Sequence, residues 1–112
     1  MKTSSAKNKG RILQKTLREK LLEAFSELAE ADIHSRPMGS SGSDLILSQK
    51  AREKLSMAFE CKNQERINLW ESWKQCVANA EKEELSPVLV VKRNRSPILV
   101  ITDIDTFLEK MK

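Results

Sequence analysis

The chain reads as one α/β domain, a mixed central β-sheet flanked by helices in the order α-β-β-β-α-β-β-α. Three observations point there. Two long segments carry apolar residues at helical spacing. A seven-residue segment between them alternates in the manner of a strand. Two apolar runs, each opened by proline and separated by a polar turn, read as paired strands. At 112 residues, 39% of them hydrophobic and 32% charged, the chain has the length and composition of one soluble domain with one modest core. We place that domain at residues 10–112, behind a flexible basic tail of Lys, Ser and Asn at residues 1–9.

From Arg11 to about Ala31, Leu13, Leu17, Leu21, Ala24, Phe25 and Leu28 fall in one arc of a helix, with Glu19, Glu23, Glu27 and Glu30 opposite. Gln14 sits within the inward arc. Ile33 anchors a brief strand. Pro37-Met38-Gly39-Ser40-Ser41-Gly42-Ser43 is a small-residue loop suited to close approach. Asp44-Leu45-Ile46-Leu47 is a short strand, and Ser48 to Leu55 a charged connection with about one helical turn. In Met57 to Lys62, Met57, Phe59 and Cys61 share one strand face and Ala58, Glu60 and Lys62 the other. Arg66 to about Glu83 is the second amphipathic helix, with Ile67, Leu69, Trp70, Trp73, Cys76, Val77 and Ala80 inward and Asn68, Glu71, Gln75 and Asn79 polar. Val88-Leu89-Val90-Val91 has the continuous apolar character of a strand covered on both faces. Ile98-Leu99-Val100-Ile101 is its antiparallel partner across the turn Arg93-Asn94-Arg95-Ser96. Asp103 caps a last helix at 104–111, with Phe107, Leu108 and Met111 expected inward.

Several classes fall away. No apolar run reaches the length of a transmembrane helix, and no signal peptide is visible. Two cysteines do not make a disulfide scaffold, so a reducing cytoplasm is expected. One histidine, His34, and two cysteines are a poor set for structural zinc. There is no nucleophile elbow, Walker loop or Ser-His-Asp arrangement. The net charge of +4 is uneven: residues 1–20 hold Lys2, Lys7, Lys9, Arg11, Lys15, Arg18 and Lys20 against Glu19 alone. A second basic group is Lys92, Arg93 and Arg95. Two basic patches on a near-neutral body suit a polyanion, though a solubilising tail and an exposed turn have the same composition.

The unusual feature is Glu60-Cys61-Lys62 within an apolar strand. Glu60 and Lys62 project from the same face, about 6.6 Å apart along the strand. A carboxylate and an ammonium there carry a desolvation penalty unless they pair or serve a ligand. Asp44 opens another strand after the Gly/Ser loop. Were the two strands neighbours, Asp44 and Glu60 would approach, and a hard divalent cation would relieve their repulsion. Mg²⁺ is such a cation: it accepts one or two carboxylates and leaves positions for water and phosphate oxygens. Lys62 would then stand beside the water and the scissile phosphate. A surface Glu60–Lys62 pair, worth under about 1 kcal/mol, is the alternative.

Ser43-Asp44 with Glu60-Cys61-Lys62 resembles the core motif of the PD-(D/E)xK nuclease superfamily, most of all its Holliday-junction-resolvase branch and small phage-type endonucleases. Lys9-Gly10-Arg11-Ile12-Leu13-Gln14 is similar to the opening of the resolvase first helix. Arg36 through Asp44 is similar to its Ser/Gly loop. Glu60 through Glu65, followed by Trp70 and Trp73, is similar to the strand-to-helix passage of the phage-type members. The likeness spans roughly residues 9–101. It implies a restriction-endonuclease-like core and Mg²⁺-dependent hydrolysis of DNA, with Mn²⁺ as a substitute and Holliday junctions or other branched DNA as substrate. Asp44 and Glu60 would hold the metal with the Cys61 carbonyl, and Lys62 would be the catalytic lysine. Ser40 or Ser41 would touch the DNA backbone. Two positions depart from the pattern: Ser43 stands where proline is usual, and Gln14 where the helical acid is usual.

Arg36, Lys9, Arg11 and the Lys92, Arg93, Arg95 cluster complete the candidate DNA contacts. Trp70 and Trp73 lie in the apolar arc of their helix and read as core or dimer interface, with base stacking as the alternative. Symmetric double cutting and the small size of the domain both favour a homodimer. The competing functions are a DNA-binding module without catalysis, motivated by the neutral Gln14, and an interaction domain that uses no nucleic acid. A prokaryotic or phage-infected cytoplasm and a role in DNA recombination are implied by the likeness alone.

Overall fold

The computed structural model describes residues 3–112, with side chains from residue 6 onward. The elements are α1 (Thr3–Ala24), a 3₁₀ turn (Glu30–Asp32), β1 (Ile33–Ser35), β2 (Leu45–Leu47), α2 (Gln49–Leu55), β3 (Met57–Asn63), α3 (Leu69–Glu83), β4 (Ser86–Lys92), β5 (Leu99–Ile101) and α4 (Ile104–Met111). The α/β class holds: a mixed three-stranded sheet, ordered β3-β4-β5, lies between helices. β3 and β4 run parallel through the crossover helix α3, with Glu60 opposite Leu89. β4 and β5 are antiparallel, with Val90 opposite Val100. β1 and β2 form a separate antiparallel pair, Ile33 opposite Leu47 and Ser35 opposite Leu45.

The alternation in β3 and the double-sided run in β4 divide the core in two. On the α1 side, Phe59, Cys61, Val88 and Val90 pack with Leu13, Leu28, Ile33, Leu45, Ala51 and Leu55. On the α3 side, Leu89 and Val91 pack with Cys76, and Trp73, Ile67 and Ile101 close over them. β4 is covered on both faces, as its unbroken apolar sequence requires. None of the described helices is long and apolar enough to cross a membrane.

Several boundaries differ from those expected of the sequence. Residues 3–9, expected as a tail, continue α1. Nothing in that stretch breaks a helix, and a packed helix propagates at little cost once nucleated. Asn63 Nδ2 also donates to the Lys9 carbonyl at 3.0 Å. Met1 and Lys2 lie outside the described residues. α1 ends at Ala24 rather than near Ala31. Arg18 accounts for the early stop: its guanidinium donates to the carbonyls of Ile33 (2.6 Å) and Glu30 (2.9 Å), folding residues 30–33 back along the helix. The charged connection after Ser48 is a two-turn helix, capped by the Ser48 hydroxyl accepting from Ala51 N–H. α3 starts at Leu69 because Asn68 caps it, accepting from Glu71 N–H at 3.2 Å.

The inward orientation expected for α4 does not occur. Phe107, Leu108 and Met111 are at least half exposed, and Thr106 is its buried residue. Asp103 caps the helix through Thr106 N–H at 2.7 Å. Near the other end Lys110 Nζ donates to the Leu55 carbonyl at 2.8 Å. These polar attachments orient the helix so that its apolar stripe faces away from the core.

Leu13 and Ile12 make a contrast within one helix, at 1% and 56% exposed. Leu13→Ala is expected to lower the unfolding free energy by about 2–5 kcal/mol in urea titrations. Ile12→Ala should change it by no more than about 0.5 kcal/mol.

Candidate active site

The site is built where the loop before β2 meets the middle of β3. Asp44 N–H donates to the Phe59 carbonyl at 2.9 Å. The Asp44 carboxylate, through Oδ2, accepts from Cys61 N–H at 2.6 Å. Two bonds, to the residues on either side of Glu60, thus hold Asp44 against β3. The Glu60 side chain leaves the opposite strand face from Phe59 and Cys61 and accepts from Asn79 Nδ2 of α3 at 3.2 Å. It is only 5% exposed.

The loop is shaped by Arg36. Its backbone N–H donates to the Asp44 carbonyl at 2.8 Å, and its Nε to the Ser43 carbonyl at 2.6 Å. Its guanidinium lies 3.9 Å from Glu83, whose Oε2 also takes the Ser43 N–H at 3.1 Å. Gly42, at φ +119°, lies against this arginine, and an added Cβ would meet Cζ at 2.7 Å. Gly42 is therefore demanded both by its backbone angle and by the close approach.

A cleft of about 260 Å³ opens at this point. Gln14, Arg36, Ser40, Asp44, Glu60, Cys61 and Lys62 line it, together with Gly10, Gln75 and the loop residues Pro37, Met38 and Gly39. Gln14, 6% exposed, reaches it from α1. The fold thus brings together residues from α1, the Gly/Ser loop, β3 and α3. Ser41, Lys9 and Arg11 do not line the cleft. The Lys9 carbonyl instead accepts from Asn63 Nδ2, which ties α1 to the end of β3. Lys92 and Arg93 border a different groove, with Ile67, Val91, Ser96 and Leu99. Arg95 is exposed on the same turn, at φ 60°. This turn still stands at the site's end of the sheet, since Lys92 is opposite Asn63, the neighbour of Lys62.

Site roles for Asn79 and Glu83 were not anticipated from the sequence. Asn79 and Gln75 are four residues apart on the polar stripe of α3; one bonds Glu60 and the other lines the cleft. Glu83 continues the same spacing and supports Arg36 and Ser43. The i, i+4, i+8 repeat of polar side chains was the available signal. Its meaning depended on which strand lay beneath.

The electrostatics are those of two acids crowded out of water. Glu60 is pushed up to about 7, first by burial and then by the Asp44 charge; Asn79 and Lys62 oppose the rise and Glu83 adds to it. Burial likewise raises Asp44, against the Cys61 N–H bond and the positive charges of Lys62 and Arg36. The Cys61 thiol is driven far up by burial and by the same two carboxylates, so it is no nucleophile. Among the described residues, no group of three or more His, Cys, Asp and Glu side chains is gathered as a metal cage. No salt bridge there reaches Asp44 or Glu60. Two acids without an ion-pair partner among the described residues, a main-chain carbonyl and neutral amides are donor types compatible with a hard cation that keeps part of its water shell.

A family model described as "Phage putative PDDEXK endonuclease" matches residues 5–112. The chain belongs to this phage PDDEXK endonuclease family. No curated protein and no solved structure matches it. In this PDDEXK family chain the residue before Asp44 is Ser43, 1% exposed. Its N–H is used by Glu83. A proline there would lack that donor.

Glu60 makes the stability of the metal-free protein depend on pH. Its folded-state value, about 7, lies above the ordinary 4.5. The folded protein therefore holds the proton that the unfolded chain has lost. The contribution is fully present below pH 4.5 and is lost as pH rises through 7. Chemical denaturation in chelator should show a fall of about 3 kcal/mol over that window. Glu60→Gln should flatten most of it.

Proposed function

We propose that this protein is a divalent-metal-dependent DNA endonuclease, with Mg²⁺ as the working ion and Mn²⁺ as a substitute. The observation that carries the reading is the clasp of Asp44 on both sides of Glu60, with Lys62 in the same cleft. Asp44 and Glu60, with the Cys61 carbonyl, would hold the ion. A bound divalent cation supplies charge neutralisation at the phosphodiester and a water of lowered pKa. The ion also favours the ionised form of Glu60, opposing the burial that favours the neutral one.

The chain's own groups have separable roles. Asn79 orients the Glu60 carboxylate through Oε1. Lys62 holds its ammonium toward the non-bridging phosphate oxygens, where negative charge grows during displacement. Gln14 offers an uncharged amide that orients water or phosphate without adding charge. Arg36 and Ser40, on the loop wall, bind the flanking phosphate. The basic turn Lys92, Arg93 and Arg95, at the same end of the sheet, extends the track for the DNA backbone. Branched DNA, including four-way junctions, is the substrate class we put forward. It is supported by the residue pattern around Asp44 and Glu60-Cys61-Lys62 and by the two basic patches. The setting is the cytoplasm of a phage-infected cell. The second reading is a DNA-binding module without catalysis. The neutral Gln14 in place of an acid favours it.

Nicking of plasmid and cleavage of labelled four-way junctions in Mg²⁺ separates the readings. Asp44→Asn, Glu60→Gln and Lys62→Ala should each slow cleavage by at least about 10²-fold while gel-shift binding persists. Cleavage unaffected by excess chelator would overturn the metal-dependent reading. Binding without cleavage in any divalent metal would support the second. Lys92→Ala and Arg93→Ala should each lower the logarithmic salt slope of binding by about 0.9 if each contacts one phosphate.

A further inference from the structure

We infer that the β5–α4 face is a twofold interface between two copies of this chain. β5 forms one edge of the three-stranded sheet, and β3 the other. The β3 edge is already engaged by Asp44, which bonds Phe59 and Cys61. β5 has no further strand partner among the described residues. Its residues are Leu99, Val100 and Ile101, without the lysine, inward charge or internal proline that usually protects an edge strand. Such an edge can pair with another copy of itself. An antiparallel self-pair about a twofold axis lets each strand supply the donors and acceptors that the other lacks.

The surroundings extend this edge on both faces. Leu99, Val100, Ile104, Phe107, Met111 and Trp70 are all more than half exposed. One apolar groove runs along Leu69, Trp70, Trp73 and Ile101. Another runs along Val100, Ile101, Ile104 and Phe107. Half of a large side chain's surface is about 100 Å². Six such residues therefore present about 600 Å², the upper end for a patch on a monomer. With strand backbone and a polar rim, this approaches the ~800 Å² per partner of a stable interface.

Charge selects the occupant. Residues 97–112 carry Asp103, Asp105 and Glu109 against Lys110 and Lys112. A slightly acidic, apolar face repels the DNA that the basic residues elsewhere attract. α4 carries an acid in its first turn, Asp105, and a lysine in its last, Lys110, so an antiparallel copy of the same helix sets unlike charges opposite each other. α4's outward apolar stripe, anomalous in a lone domain, becomes the centre of the joint. No residue of the cleft takes part, so the interface stands independently of the nuclease reading.

Sedimentation equilibrium or light scattering of the full chain tests it, with circular dichroism as the check on folding. Wild type should have twice the 12.8 kDa chain mass at micromolar concentration. Val100→Lys and Phe107→Glu should each weaken association at least about a hundredfold, leaving folded monomers. Ile46→Lys, on β2, should leave the dimer intact. Should Val100→Lys prevent folding, Phe107→Glu on the exposed helix face decides alone. A wild type that stays monomeric, or a dimer that survives both substitutions, overturns the proposal. A dimer lost only with Ile46→Lys overturns it in favour of the other strand pair.

Discussion

The hydrogen bond from Cys61 N–H to the Asp44 carboxylate is the constraint on which the site depends. It joins a loop to a strand seventeen residues away in the chain. With the backbone bond from Asp44 to Phe59, it brackets Glu60 and brings a second acid to a strand where one is already buried. A carboxylate that accepts a backbone N–H is tied to its place with little rotamer freedom. The loop must then supply the rest of the geometry. Arg36 does so by bonding the Ser43 carbonyl, and Gly42 by giving that guanidinium room.

The consequence is stored electrostatic tension. Glu60 is buried, faces the charge of Asp44 and has Glu83 behind it. One neutral amide, Asn79, supports it directly. A structural pair would have a short ion bridge to a cation of the protein. Here Lys62 lines the cleft and eases the strain without closing such a bridge. A divalent cation bound between the acids would relieve what the protein leaves unrelieved. The metal-free domain is therefore held by its two hydrophobic layers against the preferences of its own site.

Much of the architecture was legible because it arises from local periodicity. Alternation in Met57 to Lys62 separated Phe59 and Cys61 from Glu60 and Lys62, and the two faces pack as that division requires. The unbroken apolar run at Val88 to Val91 became the covered central strand. The cap at Asp103 is local hydrogen-bonding chemistry and occurs as such. Periodicity failed where the outcome depended on distant partners. The first helix stopped at Ala24 because Arg18 captures carbonyls from the turn after it. The stripe on α4 turned outward because Lys110 and Thr106, rather than the apolar residues, set its docking.

Among the candidate site residues, the sequence by itself determined the chemistry: an acid after a small-residue loop, and an acid and an amine sharing one face of a strand. Residue type and spacing set these, since strand geometry alone makes Glu60 and Lys62 point together. Only the tertiary structure decided which of the remaining polar groups join them. Gln14, Arg36, Ser40 and Gln75 line the cleft, whereas Ser41 and the Lys92–Arg95 turn do not. Local pattern set Gln14 apart by its place on an inward arc, but it did not separate Ser40 from Ser41 or give the polar stripe of α3 its meaning, because proximity across separate elements arises from how α1, the loop and α3 pack on β3.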